Sequence, residues 1–200
     1  MDTLVDTKTV AWINEQIDEA RRVQAAVQEL APYLVEIATR IAEAYRDEKK
    51  VIFFGNGGSA ADAQHWAAEL SGKFYMERDT LPAFALTTNT SQLTAIANDY
   101  GYDHVFARRL TGLVQPGDIA VGISTSGRSK NVLNGLEVAK KQGATTVGFT
   151  GKSGGDMQAH CDYLIRIPSS DVARIQEGHG LCGHLVCAVV ERLLFGDEHE

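Results

Sequence analysis

The stretch that decides the fold is VIFFGNGGSAADAQHW, residues 51 to 66. It begins with four apolar residues in succession, as expected for a strand that is covered on both faces of its sheet. A glycine-rich turn then leads into a helical pattern, and Gly55, Gly57 and Ala60 fit the spacing G-x-G-x-x-A of dinucleotide-binding turns. We therefore predict a strand, a tight turn and a helix here, and ask whether the turn binds NAD or another ligand.

The rest of the chain after Lys50 repeats this strand–helix alternation. The apolar runs are VIFFG (51–55), AFALTT (83–88), IAVGIS (119–124), TTVGFT (145–150) and YLIRIP (163–168). Between them lie the helical stretches SAADAQHWAAELSGKF (59–74), SQLTAIANDYG (91–101), KNVLNGLEVAKKQG (130–143) and GGDMQAH (154–160). Such alternation predicts an α/β fold with a doubly wound parallel sheet of about five strands.

Helices are predicted at both ends of the chain. Residues 1–50 read as two amphipathic helices that are broken at Pro32, and we expect them to extend an α/β core over 51–200 within a single domain, 1–200. The chain closes with a helix over residues 172–195, which is apolar all round and is therefore expected to be buried. Its candidate N-cap residues are Ser169, Ser170 and Asp171.

The composition excludes several classes of protein. The net charge of −7, from 19 basic and 26 acidic residues, argues against a nucleic-acid partner, which needs a basic face. Three cysteines without a C-x-x-C pair favour a reducing cytoplasm over a disulfide framework. The first residues do not resemble a signal peptide, and no apolar run approaches the roughly 18 residues of a membrane helix, so no membrane association is expected.

The glycine-rich turn lacks the second feature of a dinucleotide-binding site. Dinucleotide-binding folds place an acidic residue at the end of the second strand, where it holds the ribose hydroxyls. Here the second predicted strand ends in Thr87, Thr88 and Asn89. From this turn alone, a tight turn with close helix packing is the better interpretation.

The loop STSGRS, residues 124 to 129, follows the third predicted strand and is rich in hydroxyl groups. Helix N-termini attract anions through their unpaired N–H groups and their dipole. No G-x-x-x-x-G-K-[ST] pattern is present, so we predict binding of a phosphate monoester and not of a nucleoside triphosphate. The alternative is a serine-rich turn that only caps its helix. The candidate phosphate ligands are Ser124, Thr125, Ser126 and Ser129.

Two helices carry polar residues that could form a reaction centre. His65 and Glu69 are four apart and share a helix face that points away from the predicted core. On their own they could be a solvated pair. The last helix, however, carries polar residues and glycines within a helix that is otherwise apolar. Such a combination marks a functional site more often than an ordinary buried helix. These residues are Gln176, Glu177, His179 and His184, among Gly178, Gly180 and Gly183.

Five segments together resemble the phosphoheptose isomerases of the sugar-isomerase (SIS) fold. They are GNGGSAADAQHWAAEL (55–70), TAIANDYGY (94–102), ISTSGRSKNVL (123–133), GFTGKSGG (148–155) and ARIQEGHGLCGH (173–184). The resemblance covers nearly the whole chain, including the helical N-terminus. It implies conversion of sedoheptulose 7-phosphate to D-glycero-D-manno-heptose 7-phosphate, toward heptose for bacterial lipopolysaccharide or surface polysaccharide. It also implies a cytoplasmic homotetramer, and several members bind zinc.

Carried onto this sequence, the resemblance implies a role for each site residue. One zinc ion per subunit is expected on His65, Glu69, Gln176 and His184. Glu69 is expected to be the general base and His184 the general acid. The phosphate ligands fall on Ser124, Thr125, Ser126 and Ser129, with Ser59 nearby, and the sugar contacts on Asn56, Gly57, Gly58, His65, Glu69, Asn98, Asp99 and Gln176. Lys73 and Ala173 depart from some members, which have Arg and Asp there, so contacts from these two positions are not carried over.

Alternatives remain for the metal and for the activity. Gln176 and His184 are eight residues apart, roughly 12 Å along a helix, so they meet one ion only if both reach toward each other or if two chains contribute. The alternative is a metal-free polar pocket. A site at a subunit boundary would explain both the apolar stripes of the N-terminal helices and the direction of His65 and Glu69, which face away from their own core.

Two other activities also stay open. A related SIS protein is a non-catalytic, tetrameric partner of the bacterial replication initiator, and it resembles this chain at ANDY (97–100) and ARIQE (173–177). That protein lacks the acidic residue and the histidine that stand here as Glu69 and His184, so the sequence favours an enzyme over a non-catalytic partner. The remaining alternative is an isomerase or a sensor of another phosphosugar.

Overall fold

The computed structural model describes residues 6 to 196, which build a five-stranded sheet in the order β2-β1-β3-β4-β5 with all neighbours parallel. The predicted doubly wound parallel sheet is therefore confirmed. The order reverses between β1 and β3, and ligands of such sheets bind beyond the carboxyl ends of the strands at that point. The strands are β1 (Val51–Gly55), β2 (Ala83–Ala85), β3 (Ile119–Ile123), β4 (Thr145–Gly151) and β5 (Tyr163–Ile167).

Helices cover both faces of the sheet. One face packs against α1, α2, α3 and α7, and the other against α4, α5 and α6. Successive residues of β1 alternate between the two layers, with Phe53 in the first core and Ile52 and Phe54 in the second. The helices are α1 (Thr7–Val27), α2 (Ala31–Arg46), α3 (Gly58–Ser71), α4 (Thr90–Tyr100), α5 (Val105–Leu113), α6 (Lys130–Lys141) and α7 (Val172–Phe195).

The N-terminal helical pair is confirmed and belongs to the first core. Asp6 caps α1, because its carboxylate accepts hydrogen bonds from the backbone amides of Lys8 and Thr9. Pro32 lies in the first turn of α2, where its missing N–H costs nothing. Apolar residues of α2, including Leu34 and Ile37, pack in the same cluster as α7. The pair therefore packs onto the α/β core instead of standing apart from it.

Three predictions of local structure are wrong. Helix α5 was not expected, because its nine residues include Gly112 and directly follow a 3-10 turn over Tyr102–His104. Strand β2 has three residues instead of six, since it lies at the sheet edge and turns away after Leu86. The stretch GGDMQAH forms only a 3-10 turn over Met157–Ala159, because two glycines precede it.

Helix α7 is the longest helix among the described residues and contacts both α2 and α3. By length and mean hydropathy alone it could cross a membrane, although polar residues such as Gln176, His184 and Glu191 interrupt its apolar runs. Its inner side is packed in the core through Cys182, Val186 and Val190. Its outer side leaves Leu185 and Leu193 41% and 39% exposed, so the prediction of a helix without an exposed side is wrong for the single chain.

Candidate active site

The loop after β1 is fixed to the start of α6 by a reciprocal pair of side-chain amides. Asn56 Nδ2 donates to Asn131 Oδ1 at 2.9 Å, and Asn131 Nδ2 donates to Asn56 Oδ1 at 2.8 Å. The hydroxyl of Tyr102 donates to the same Asn56 oxygen at 3.1 Å. Gly57 has a φ of +56°, which side chains rarely adopt, and occupies the N-cap position of α3. The glycine-rich turn is thus a tight, fixed turn into α3.

The STSGRS loop gathers its hydroxyl groups on one another. Ser124 is buried, and its Oγ lies 2.9 Å from Ser129 Oγ and 3.5 Å from Ser126 Oγ. Ser129 is the N-cap residue of α6, yet among the described residues its hydroxyl bonds no amide of that helix. The alternative in which Ser129 merely caps its helix is therefore not supported, and the hydroxyls stay grouped at the start of α6.

A cavity of about 200 Å³ opens beside this loop and carries positive charge. It lies between the loops that follow β3, β4 and β5, where Arg128 and Lys152 contribute cationic side chains. Hydroxyl groups from the loops after β3 and β4 and from the residues just before α7 complete its wall. In a protein with a net charge of −7, a cavity of this composition favours an anionic ligand. Its hydroxyl-bearing residues are Thr125, Ser126, Ser153, Ser169 and Ser170.

Three polar side chains converge where α3 passes α7. His65 Nε2 lies 2.7 Å from Glu69 Oε1 and 3.5 Å from His184 Nε2. One ligand atom from each of the three residues lies within 4.8 Å of the others. The two imidazole rings meet edge to face, with centroids 4.9 Å apart. Two imidazole nitrogens and one carboxylate oxygen form a donor set of the kind found in catalytic zinc sites.

The separation of α3 and α7 is set by the contact between Gly183 and Trp66. A Cβ atom at Gly183 would lie 2.0 Å from the Trp66 ring, so only glycine fits here. Trp66 is 1% exposed and also packs against Phe149. Since His65 precedes Trp66 and His184 follows Gly183, the same contact brings the two imidazoles together. The close approach at this glycine is therefore that of a core side chain, Trp66.

Gln176 packs against the start of α3. Its amide packs on Gly58, where a Cβ atom would be 2.3 Å from Gln176 Nε2. Gly58 is the first residue of α3, and His65 lies two turns further on. The structure therefore brings three of the four predicted metal ligands together in one chain, and places Gln176 beside the Asn56–Gly58 loop.

The other predicted residues fall at the carboxyl edge of the sheet or at the end of α4. Ser59 is buried, and its amide donates to the backbone oxygen of Asn56. Asn98 Nδ2 donates to Asp99 Oδ1 at 2.9 Å, and both residues are exposed. Three residues after Asp99, Tyr102 reaches Asn56, which links the end of α4 to the same loop.

The remaining polar residues of α7 have structural contacts. His179 is fully buried, with its Nε2 3.2 Å from the backbone oxygen of Thr150. Burial lowers the pKa of His179 to about 4, so the ring is neutral at pH 7. Glu177 pairs with Arg174 at 2.7 Å on the exposed side of the helix. These two residues do not join the cluster around His184.

Several residues near the site were not anticipated from the sequence. Asn131 and Tyr102 hold Asn56, but neither stands out in its local pattern. Glu191 could have been noticed as a lone carboxylate in an apolar stretch of α7. Asp62 lies one turn before His65, and burial raises its pKa to about 6. Its Oδ2 atom is buried and has no hydrogen-bond partner within residues 6–196.

Comparisons with known proteins identify the family of this chain. The SIS domain model matches residues 15–151. The phosphoheptose isomerase of Sulfurimonas denitrificans is 49% identical over 189 residues, which cover 93% of this chain and 97% of that protein. The structure of the phosphoheptose isomerase from Neisseria gonorrhoeae matches with a TM-score of 0.86 at 38% identity, covering 92% of this chain and 98% of that one.

A second solved structure gives the same result. The phosphoheptose isomerase from Francisella tularensis matches with a TM-score of 0.89 at 32% identity, again over 92% of this chain and 98% of that one. Similarity over nearly the full length of both chains includes the N-terminal helices as well as the α/β core. The chain belongs to the SIS-domain family and, within it, to the phosphoheptose isomerases.

Proposed function

We propose that this isomerase converts sedoheptulose 7-phosphate to D-glycero-D-manno-heptose 7-phosphate, as a supplier of heptose precursors for lipopolysaccharide or surface polysaccharide. The observation that carries the proposal is the convergence of His65, Glu69 and His184, in a chain that matches phosphoheptose isomerases over nearly its whole length. A ketose becomes an aldose when a proton moves between adjacent carbons through an enediol. The reaction therefore needs one base and one acid within reach of both carbons.

The phosphate and the sugar bind at the carboxyl edge of the sheet. Ser124, Thr125, Ser126 and Ser129 donate to the phosphate oxygens, with Ser59 nearby, and the start of α6 adds its dipole. The Asn56–Gly58 loop, Asn98, Asp99 and Gln176 contact the sugar hydroxyls. The phosphate takes no part in the chemistry, so its binding energy serves to orient the reacting carbons.

Glu69 is the general base and His184 the general acid in this proposal. Their helices are locked together by the Trp66–Gly183 contact, so both groups face one space without rearrangement. Glu69 removes the proton from the carbon next to the carbonyl while His184 donates a proton to the carbonyl oxygen, which gives the enediol. Glu69 then returns its proton to the former carbonyl carbon while His184 takes the proton of the adjacent hydroxyl, which gives the aldose. His65 lies against both residues, and it holds Glu69 by the 2.7 Å contact.

The donor set of the cluster fits one zinc ion per subunit, held by His65, Glu69 and His184. When bound, zinc supplies Lewis-acid stabilisation of the negative charge that develops on the enediolate. Gln176 is the fourth candidate ligand. Its amide packs on Gly58. Because residues 176 and 184 are roughly 12 Å apart along the helix, Gln176 shares one ion with His184 if both side chains reach toward each other or if a second copy of the chain contributes.

We include a homotetramer with the site at a subunit boundary in the proposal. Trp12, Ile13 and Ile17 of α1 are 58%, 45% and 45% exposed, more apolar surface on one helix than a monomer needs. Light scattering at micromolar concentration tests this point, and a monomer would contradict it.

The cellular setting completes the proposal: a cytoplasmic enzyme of one domain over residues 1–200. The cysteines Cys161, Cys182 and Cys187 are all free thiols. Two of them are buried in the core between α7 and its neighbours. Free thiols without a disulfide are typical of proteins in a reducing compartment. The continuous packing of α1 and α2 with α7 supports the single domain.

The deciding experiment is incubation of the purified protein with sedoheptulose 7-phosphate, followed by chromatographic separation of ketose from aldose. Parallel samples contain metal-stripped protein and stripped protein with zinc restored. Conversion that is lost on stripping and recovered with zinc supports both the activity and the metal. Full activity of stripped protein would remove the zinc from the proposal. Absence of conversion in all samples would favour a non-catalytic SIS protein or another phosphosugar substrate.

A further inference from the structure

The segment between α3 and β2 has no regular structure, but α7 holds it in place. Three successive backbone amides of this segment point at one carboxylate, that of Glu191. Phe74 donates to Glu191 Oε1 at 3.2 Å, while Tyr75 and Met76 donate to Oε2 at 2.7 Å and 3.0 Å. The segment therefore has a defined position next to α7.

Arg78 completes a clamp between this segment, α3 and α7. Its Nε donates to Glu191 Oε1 at 2.8 Å, and both side chains are 1% exposed. Burial alone would raise the pKa of Glu191, but the hydrogen bonds from the amides and from Arg78 outweigh it, and the pKa is below its ordinary value. The two guanidinium Nη atoms donate to backbone oxygens of Glu69, Leu70, Gly72 and Asp79.

This clamp determines which side chain lies against His184. The ring of Phe74 stacks on the imidazole of His184, with centroids 5.7 Å apart and the planes inclined by only 13°. Tyr75 lies against Phe74, with ring centroids 4.1 Å apart and the planes tilted by 38°, but it is 78% exposed. Since His184 and Glu191 are seven residues apart on α7, they lie on the same side of that helix. One helix face thus carries both the imidazole and the carboxylate that holds its stacking partner.

We propose that Phe74, held by the Arg78–Glu191 clamp, is a positioning residue that fixes the ring plane of His184 for proton transfer and for metal binding. The inference rests on the assignment of His65, Glu69 and His184 as the reaction centre. It adds a third element to that centre: α3 supplies the base, α7 supplies the acid, and the clamped segment supplies the wall that keeps the acid in one orientation.

The test compares Phe74→Leu with Tyr75→Leu. Both changes replace an aromatic ring by leucine and keep the backbone amide that binds Glu191, but only the first removes the contact with His184. Zn²⁺ affinity of the metal-stripped proteins is measured by competition with a chromophoric chelator, and kcat and KM are measured for the isomerase reaction. We expect Phe74→Leu to weaken Zn²⁺ binding and to lower kcat, each about tenfold or more, with KM within about twofold.

Tyr75→Leu should stay within about twofold of the unmodified protein in all three quantities, and Phe74→Tyr, which keeps a stacking ring, should restore them. Equal behaviour of Phe74→Leu and Tyr75→Leu would overturn the inference. Glu191→Gln, which keeps the shape but removes the charge that Arg78 faces, should resemble Phe74→Leu if it folds; if it does not fold, the leucine pair still decides.

His184→Ala, measured alongside, separates the inference from its foundation. Loss of activity and of Zn²⁺ affinity in His184→Ala, with no effect in Phe74→Leu, refutes only the positioning role. Retention of both in His184→Ala refutes the assigned reaction centre, and the positioning role with it.

Discussion

Two regions of the site hold their residues by different means. At the loop edge, which comprises residues 55–59 and 124–129, the hydroxyls of Ser124 and Ser129 contact each other within one short loop, although Asn56 is held by more distant partners. In the helix seam, where α3 passes α7, His65 and His184 are 119 residues apart in sequence and meet only because Trp66 packs on Gly183. A binding loop can thus be read from local sequence, whereas a reaction centre between helices depends on the packing of the whole core.

The largest expected effect lies in the helix seam. Glu69→Gln keeps the size of the side chain but removes the base, so kcat should fall by about 10²–10⁴-fold while the fold is unchanged. Steady-state kinetics with sedoheptulose 7-phosphate provide the measurement. Glu43→Gln, on the exposed side of α2, is the matched control and should retain full activity. Substantial turnover by the Glu69 variant would place the base elsewhere.

His179 ties the seam helix α7 to the sheet, because its ring contacts the backbone of Thr150 at the end of β4. Its folded-state pKa of about 4 lies below the ordinary 6.5, so the unfolded chain binds the proton first as pH falls. The contribution of neutral His179 to the free energy of unfolding should therefore be fully present above about pH 6.5. It should be lost, by about 3 kcal/mol, as the pH falls from 6.5 through 4.

Urea unfolding at a series of pH values and at fixed protein concentration measures this dependence. His179→Gln should flatten the curve between pH 6.5 and 4, whereas His104→Gln, on an exposed turn, should leave it unchanged. Equal slopes in the two variants would show that other groups cause the acid sensitivity.

Gly183→Ala tests whether the seam must be closely packed. The added methyl group would push against Trp66, so we expect a loss of about 1–3 kcal/mol in the free energy of unfolding. The displaced His184 should also lower kcat. Gly180→Ala is the control, because nothing lies within 4 Å of its added Cβ, and it should gain about 0.5–1 kcal/mol. A tolerated alanine at 183 would mean that α3 and α7 can separate without cost.

The smallest expected effect lies at the loop edge. Ser129→Ala removes one of several donors to the phosphate, so KM should rise about tenfold while kcat changes little. Ser91→Ala, on the exposed start of α4, controls for the loss of a hydroxyl. A fall in kcat without a change in KM would place Ser129 among the reacting groups and would erase the proposed division between the two regions.

Much of the fold could be predicted because each strand–helix unit carries its own local pattern. The five strands and the N-terminal pair follow from apolar runs and helical spacing that need no knowledge of distant residues. Helix α5 was missed because its nine residues, with Gly112 near the end, are too short for a clear period. The exposed side of α7 was missed for a different reason: hydropathy does not distinguish a face that meets the core from one that meets solvent or a partner.

The site was predictable in the same uneven way. The grouping of hydroxyls in residues 124–129 follows from adjacency in the chain. Helical rise separates Gln176 from His184 by roughly 12 Å along α7, and the contact of Gln176 with Gly58 had no signal in the sequence. The roles of Phe74 and Arg78 had no local signal, because their partner Glu191 lies more than a hundred residues away.

The position of α7 has a consequence for how the chain acquires its structure. Arg46 donates to the backbone oxygen of Leu193, and Arg174 donates to that of Gln16, across 147 and 158 residues. Contacts of such sequence separation form late, because a long loop must close before they contribute. During synthesis, α1 and α2 therefore leave the ribosome with apolar faces whose partner has not yet been translated. While the nascent chain ends at β5 and lacks α7, these exposed apolar faces can bind chaperones or cause aggregation.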